Sequence, residues 1–133
     1  MSADAFFDSN ILLYSVSSDA IKAARAMALI NAGGVISVQV LNEFANVSRR
    51  KYDVPFDKIR KALSAFRELC VIRPLDVETH DTALDIAERY RFHIYDSLII
   101  ASALRAGCKT LYTEDLRHGQ VIDGLTVRNP FIS

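Results

Sequence analysis

The feature that most restricts the fold is a set of very short apolar runs spaced along the chain. Ala5-Phe6-Phe7, Val35-Ile36-Ser37-Val38, Cys70-Val71-Ile72 and Lys109-Thr110-Leu111-Tyr112-Thr113 are each too short for a helix, and each stops at a turn signal or a polar run. Between them lie stretches with helical spacing. Ile11–Val16 and Ala20–Ala32 come first, the second Ala-rich with Ile21, Ala24 and Ala28 on one face and Gly33-Gly34 as its stop. Gln39 to about Tyr52 carries Val40, Leu41, Phe44 and Val47, and Pro55 opens a helix with Ile59, Leu63 and Phe66. Val77–Tyr90 has a stripe of Leu84, Ala87 and Tyr90, and Asp96–Ala106 holds Ile99, Ile100, Ala103 and Leu104 ahead of Gly107. Leu125–Arg128 is a candidate last strand. Short strands alternating with helices of about 10 to 15 residues predict a three-layer α/β/α domain on a mainly parallel sheet of four to five strands.

No repeat or linker-like tract divides the 133 residues, so a single domain over 1–133 is expected. Half the residues are apolar and 24% are charged, which excludes a disordered or collagen-like chain. Sixteen basic residues balance sixteen acidic ones, so a bound polyanion must meet a local basic patch rather than a whole-molecule field. The longest apolar stretch, Leu98–Leu104 with Ser102 inside it, is far below the roughly 18 residues of a membrane span, and Met1-Ser2-Ala3-Asp4 has no basic leader, so a cytoplasmic protein without membrane contact is expected. Cys70 and Cys108 lack C-x-x-C spacing and read as packing residues.

In open α/β sheets, ligands bind beyond the carboxyl ends of strands. Three acids occupy such positions: Asp8 after Phe6-Phe7, Asp115 two residues past Thr113, and Asp96 at the head of an apolar helix. Each also suits a plain structural role, because Asp caps helices and favours first turns. Glu43 sits on the stripe of Val40 and Val47, where a buried carboxylate needs a partner. Gln39 and Asn46 are within reach, whereas Arg50 could arrive only by extending along the helix. Two carboxylates about 5 Å apart repel by roughly 3 kcal/mol at an effective dielectric near 20, so convergence of the four would demand protons or cations. An oxygen-only donor set selects Mg²⁺ or Mn²⁺, and such a site commonly completes its shell with substrate phosphate.

The ordered set Phe7-Asp8-Ser9-Asn10, Asn42-Glu43-Phe44, Tyr95-Asp96-Ser97-Leu98 and Thr113-Glu114-Asp115-Leu116, together with the tail from His118 to Phe131, resembles the PIN domain, and within it the VapC-type ribonuclease toxins of toxin–antitoxin modules. The resemblance spans essentially the whole chain. It implies that Asp8, Glu43, Asp96 and Asp115 hold one or two Mg²⁺ or Mn²⁺ ions, with Asn10 and Thr113 in support. It also implies a homodimer and a cognate antitoxin. The reaction it implies is hydrolysis of an RNA phosphodiester by metal-activated water. Glu114 stays outside this core set as a helix-start acid.

Arg49-Arg50-Lys51-Tyr52 offers a basic, aromatic run for RNA phosphate and base contacts, while Lys58, Arg60, Lys61 and Arg67 suit an ordinary solvated helix face. His93 and His118 lie three residues from Asp96 and Asp115 and read as loop caps, and the acids around His80 read as a solvated face. A phosphatase of the haloacid-dehalogenase type needs a second Asp where this chain has Asn10, and a receiver domain needs a Lys ending a late strand, whereas Lys109 begins one. The alternative from another class is a catalytically silent PIN-like module that binds RNA or protein.

Overall fold

A computed structural model describes residues 4–132. Its elements run β1 (Ala5–Phe7), α1 (Ser9–Ser15), α2 (Ala20–Ala32), β2 (Gly34–Ser37), α3 (Val38–Arg50), α4 (Phe56–Leu69), β3 (Cys70–Arg73), α5 (Val77–Tyr90), α6 (Ile94–Arg105), β4 (Thr110–Tyr112), β5 (Val121–Ile122) and β6 (Leu125–Arg128). The sheet order is β3-β2-β1-β4-β6-β5, parallel throughout except for β5 against β6.

The crossovers from β1 to β2 to β3 step one way, carrying α1 to α4; the crossover from β3 returns past β1 to β4, carrying α5 and α6. Right-handed connections therefore place the two helix sets on opposite faces, and the helices pack accordingly, α1 to α4 on one another and α5 on α6. The chain reverses direction at β1, which opens a crevice beyond the carboxyl ends of β1 and β4. Their register aligns Phe7 with Tyr112, so Asp8 and Thr113 emerge side by side. Phe6, Val35, Leu111 and Val127 fill the middle of the sheet, and α6 is buried from Ser97 through Ala103.

The structure departs from the sequence reading in several elements. On α2 the buried residues are Ala26 and Ile30, whereas Ile21, Ala24 and Ala28 face solvent. An alanine-rich helix with an isoleucine on each candidate face tolerates either frame, and its period alone does not choose between them. On α5 the buried line is Thr79, Ala83 and Ile86, and Leu84 is exposed. Among the described residues the sheet has six strands, because Asp123 and Gly124, both at positive φ, fold Val121-Ile122 back on Leu125-Thr126 as a tight hairpin. Asp-Gly is the local signal that would have found it. Helix α6 starts two residues before Asp96, capped by the His93 side chain, which accepts from Tyr95 N–H.

Candidate active site

Asp8 ends β1 and caps α1, its carboxylate accepting from Ser9 N–H at 2.7 Å and from the Thr113 hydroxyl at 2.8 Å. Thr113 Oγ1 in turn accepts from Asp115 N–H at 3.1 Å. The Asn10 amide donates to Asp115 Oδ2 at 3.2 Å and to Thr113 Oγ1 at 3.4 Å. A closed set of hydrogen bonds thus joins the ends of β1 and β4. Glu43 arrives from α3 and Asp96 from the third position of α6. Gln39, one turn before Glu43, donates to the Tyr95 carbonyl at 3.3 Å and ties the two helices together next to both acids. Asp8 is buried, Glu43 and Asp96 are half-buried, and Asp115 stands exposed at the rim.

The four acids are close enough to act on one another electrostatically. Burial pushes the Asp8 carboxyl up to about 6, against the hydrogen bonds from Thr113 and Ser9 that lower it, and Asp115 and Asp96 add to the rise. Burial likewise lifts Glu43 to about 7, with Asp8, Asp115 and Asp96 all contributing. Asp96 is raised by burial and by Asp115. Among the described residues no lysine or arginine pairs with any of the four; the ion pairs are Arg49–Asp53, Arg89–Asp123 and Arg105–Asp76.

The pocket is also short of donors. Asn10 Oδ1, Gln39 Oε1 and Glu43 Oε1 are buried acceptors without a hydrogen-bond partner. Among the described residues no three His, Cys, Asp or Glu side chains stand close enough to cage an ion by themselves. A hard divalent cation that keeps several waters fits both facts. It neutralises the carboxylates, and its waters donate to the orphaned oxygens. A naked four-coordinate zinc site does not fit this donor set.

Of the basic run, Arg49 is engaged elsewhere, donating to Asp53 at 3.0 Å and lying 5.1 Å over the Phe56 ring. Lys51 and Tyr52 line a cavity of about 430 Å³ that also includes Asn10 and Glu114, while Arg50 is exposed and outside that lining. Lys58, Arg60, Lys61 and Arg67 are exposed on α4. Both histidines act as loop caps, His118 Nδ1 accepting from Asn129 N–H at 3.0 Å. Cys70 and Cys108 are buried, which raises both thiols to about 11. Sequence reasoning missed the role of Tyr14, whose hydroxyl donates to Glu114 Oε1 at 3.0 Å. Glu114 is therefore a braced, half-buried acid rather than one free in solvent.

A crevice of carboxylates at the reversal point of a mainly parallel sheet defines a class of α/β domain built to bind at its carboxyl edge. The chain belongs to the PIN domain family, whose model matches residues 5–123. No curated protein matches the sequence. Among solved structures, a chain of a toxin–antitoxin complex from Klebsiella pneumoniae is 24% identical with a TM-score of 0.73, the match covering 98% of each chain. VapC20 of Mycobacterium tuberculosis, described as a toxin cleaving the sarcin–ricin loop, is 15% identical with a TM-score of 0.67 over 84% of this chain and 89% of that one. A chain of the Rickettsia felis VapBC2 complex bound to promoter DNA is 20% identical, TM-score 0.67, over 94% and 97%. At these identities the likeness is one of fold.

Proposed function

We propose that this protein is a metal-dependent endoribonuclease acting as the toxin of a toxin–antitoxin module, with residues 1–133 as one PIN domain. The observation that carries the reading is the gathering of Asp8, Glu43, Asp96 and Asp115 close enough to act on one another beyond the ends of β1 and β4, with no lysine or arginine paired to any of them among the described residues. Those four would hold one or two Mg²⁺ or Mn²⁺ ions. When bound, the metal supplies an activated water and charge neutralisation at the phosphate.

The chain's own residues do the positioning. Thr113 and Ser9 fix the Asp8 carboxylate in one orientation, Asn10 fixes Asp115, and Gln39 holds α3 against α6 so that Glu43 and Asp96 face the same space. Lys51 and Tyr52 would meet RNA phosphate and base beside the acids. An antitoxin partner belongs to the same reading and is supported by two neighbours that come from toxin–antitoxin complexes, and a cytoplasmic homodimer is the form in which we propose the protein acts.

A second reading, a silent PIN-like module that binds RNA or protein, draws on the absence among the described residues of three acids close enough to cage an ion. One assay separates the two. Purified protein with Mn²⁺ is expected to cleave RNA, and Asp96→Asn to lower the rate by more than about 100-fold, beyond the loss typical of a ligand's supporting partners. Equal cleavage by both proteins, or none by wild type, would favour the silent module.

A further inference from the structure

The cavity beside the acids shares Asn10 with them yet differs in its walls. Val47 and Val54 give it apolar surface, Tyr52 an exposed ring with the Lys51 ammonium 5.5 Å over one face and the other face open, and Glu114 a carboxylate. Glu114 is not left to find its own position. The Tyr14 hydroxyl donates to Oε1 at 3.0 Å, Lys22 Nζ donates to that same hydroxyl at 3.4 Å, and the Phe131 ring packs on Tyr14 with centroids 4.6 Å apart. The bracing makes Glu114 a fixed acceptor one residue from Asp115.

An occupant of this space needs a flat apolar body, N–H donors for the carboxylate, and an anionic group for Lys51. We infer that the cavity is a pocket for a guanine base next to the cleaved phosphodiester, with Glu114 accepting from the base's Watson–Crick edge and Tyr52 offering a stacking face. The inference rests on the ribonuclease reading for its substrate. Guanine is singled out by its edge: a ring N–H and an amino group point the same way, toward a forked acceptor. Adenine and cytosine place an acceptor beside their amino group, and uracil sets its one N–H between two carbonyls, so each would turn lone pairs toward the carboxylate. Tyr14 occupies one of the roughly four lone-pair positions on Glu114 and leaves the others for the base.

The test reads binding and cleavage separately on the full chain. A short single-stranded RNA with one guanine is compared with the same RNA carrying adenine there. Binding is followed by fluorescence anisotropy in Ca²⁺, and cleavage by site mapping in Mn²⁺. Wild type is expected to favour guanine by roughly tenfold, as one paired base edge typically allows. Glu114→Gln, which replaces an acceptor with a donor, is expected to erase that ratio, and Tyr14→Phe, which removes only the brace, to reduce it. Thermal melts of both variants establish that they fold. Cleavage with an unchanged guanine preference in Glu114→Gln would overturn the pocket and leave the nuclease standing. Guanine-selective binding lost in Glu114→Gln, with no cleavage by wild type, would keep the pocket and remove the nuclease. Equal affinity for the two RNAs, or none for either, would overturn the pocket.

Discussion

Asp8 is both the cap of α1 and the most deeply buried of the four acids, and its two roles pull in opposite directions. Its folded value near 6 and that of Glu43 near 7 lie above the ordinary 3.8 and 4.5. A raised carboxyl means that the folded form holds its proton longer. The cost is absent below about pH 4, grows as pH climbs, and is complete above about pH 7 for Asp8 and about pH 8 for Glu43. Asp8→Asn keeps a capping side chain but removes the charge. It is expected to stabilise the metal-free protein at neutral pH by about 2 kcal/mol, to leave it unchanged at acid pH, and to shrink the rise in Tm that Mn²⁺ gives wild type. Urea melts across this range, with EDTA and with Mn²⁺, check all three. A wild-type stability curve parallel to that of the variant would mean that the pocket is not strained. The positions of the four acids could be picked out in the sequence because Asp8 and Asp115 follow strands, Asp96 heads an apolar helix and Glu43 breaks an apolar helical stripe. The Tyr14–Glu114 pair could not, since its partners lie 100 residues apart and no local pattern links them.

At the level of elements, Gly34 shows how tightly the sheet is built beneath the site. A Cβ there would come within 2.6 Å of the Phe7 ring and 2.9 Å of the Ala5 carbonyl oxygen. Phe7 is buried and immediately precedes Asp8, so the ring cannot yield without moving the site. Gly34→Ala is expected to cost about 1 to 3 kcal/mol, measured by urea denaturation, and to lower the Mn²⁺-linked rise in Tm as well. A neutral substitution would show that β1 and β2 can separate slightly. The strands Ala5–Phe7, Gly34–Ser37, Cys70–Arg73 and Thr110–Tyr112 were readable because a short apolar run bounded by turn residues has few alternatives. The inward face of α2 was not, because alanines on every side blur the helical period. The register of α5 was not either, because Thr79 is buried while its hydroxyl donates to Asp76 at 2.6 Å, a hydrogen bond that polarity alone does not reveal.

For the whole molecule, zero net charge concentrates the question of RNA binding on a few side chains. Arg49 is committed to Asp53 and Phe56, whereas Lys51 lies on the cavity wall. Lys51→Ala is expected to flatten the salt dependence of RNA affinity by a slope of about 0.7, the value for one phosphate contact on a single strand, while Arg49→Ala leaves the slope unchanged. The opposite pattern would move the interface to the end of α3. The order of the sheet has one more consequence. Asp8 and its hydrogen-bonding partner Thr113 are separated by 105 positions, so a growing polypeptide carries the first half of the crevice long before the second half has been translated. Under the proposed ribonuclease reading, any activity of the crevice must therefore wait until Thr113 and Asp115 have left the ribosome and paired with a strand made long before them.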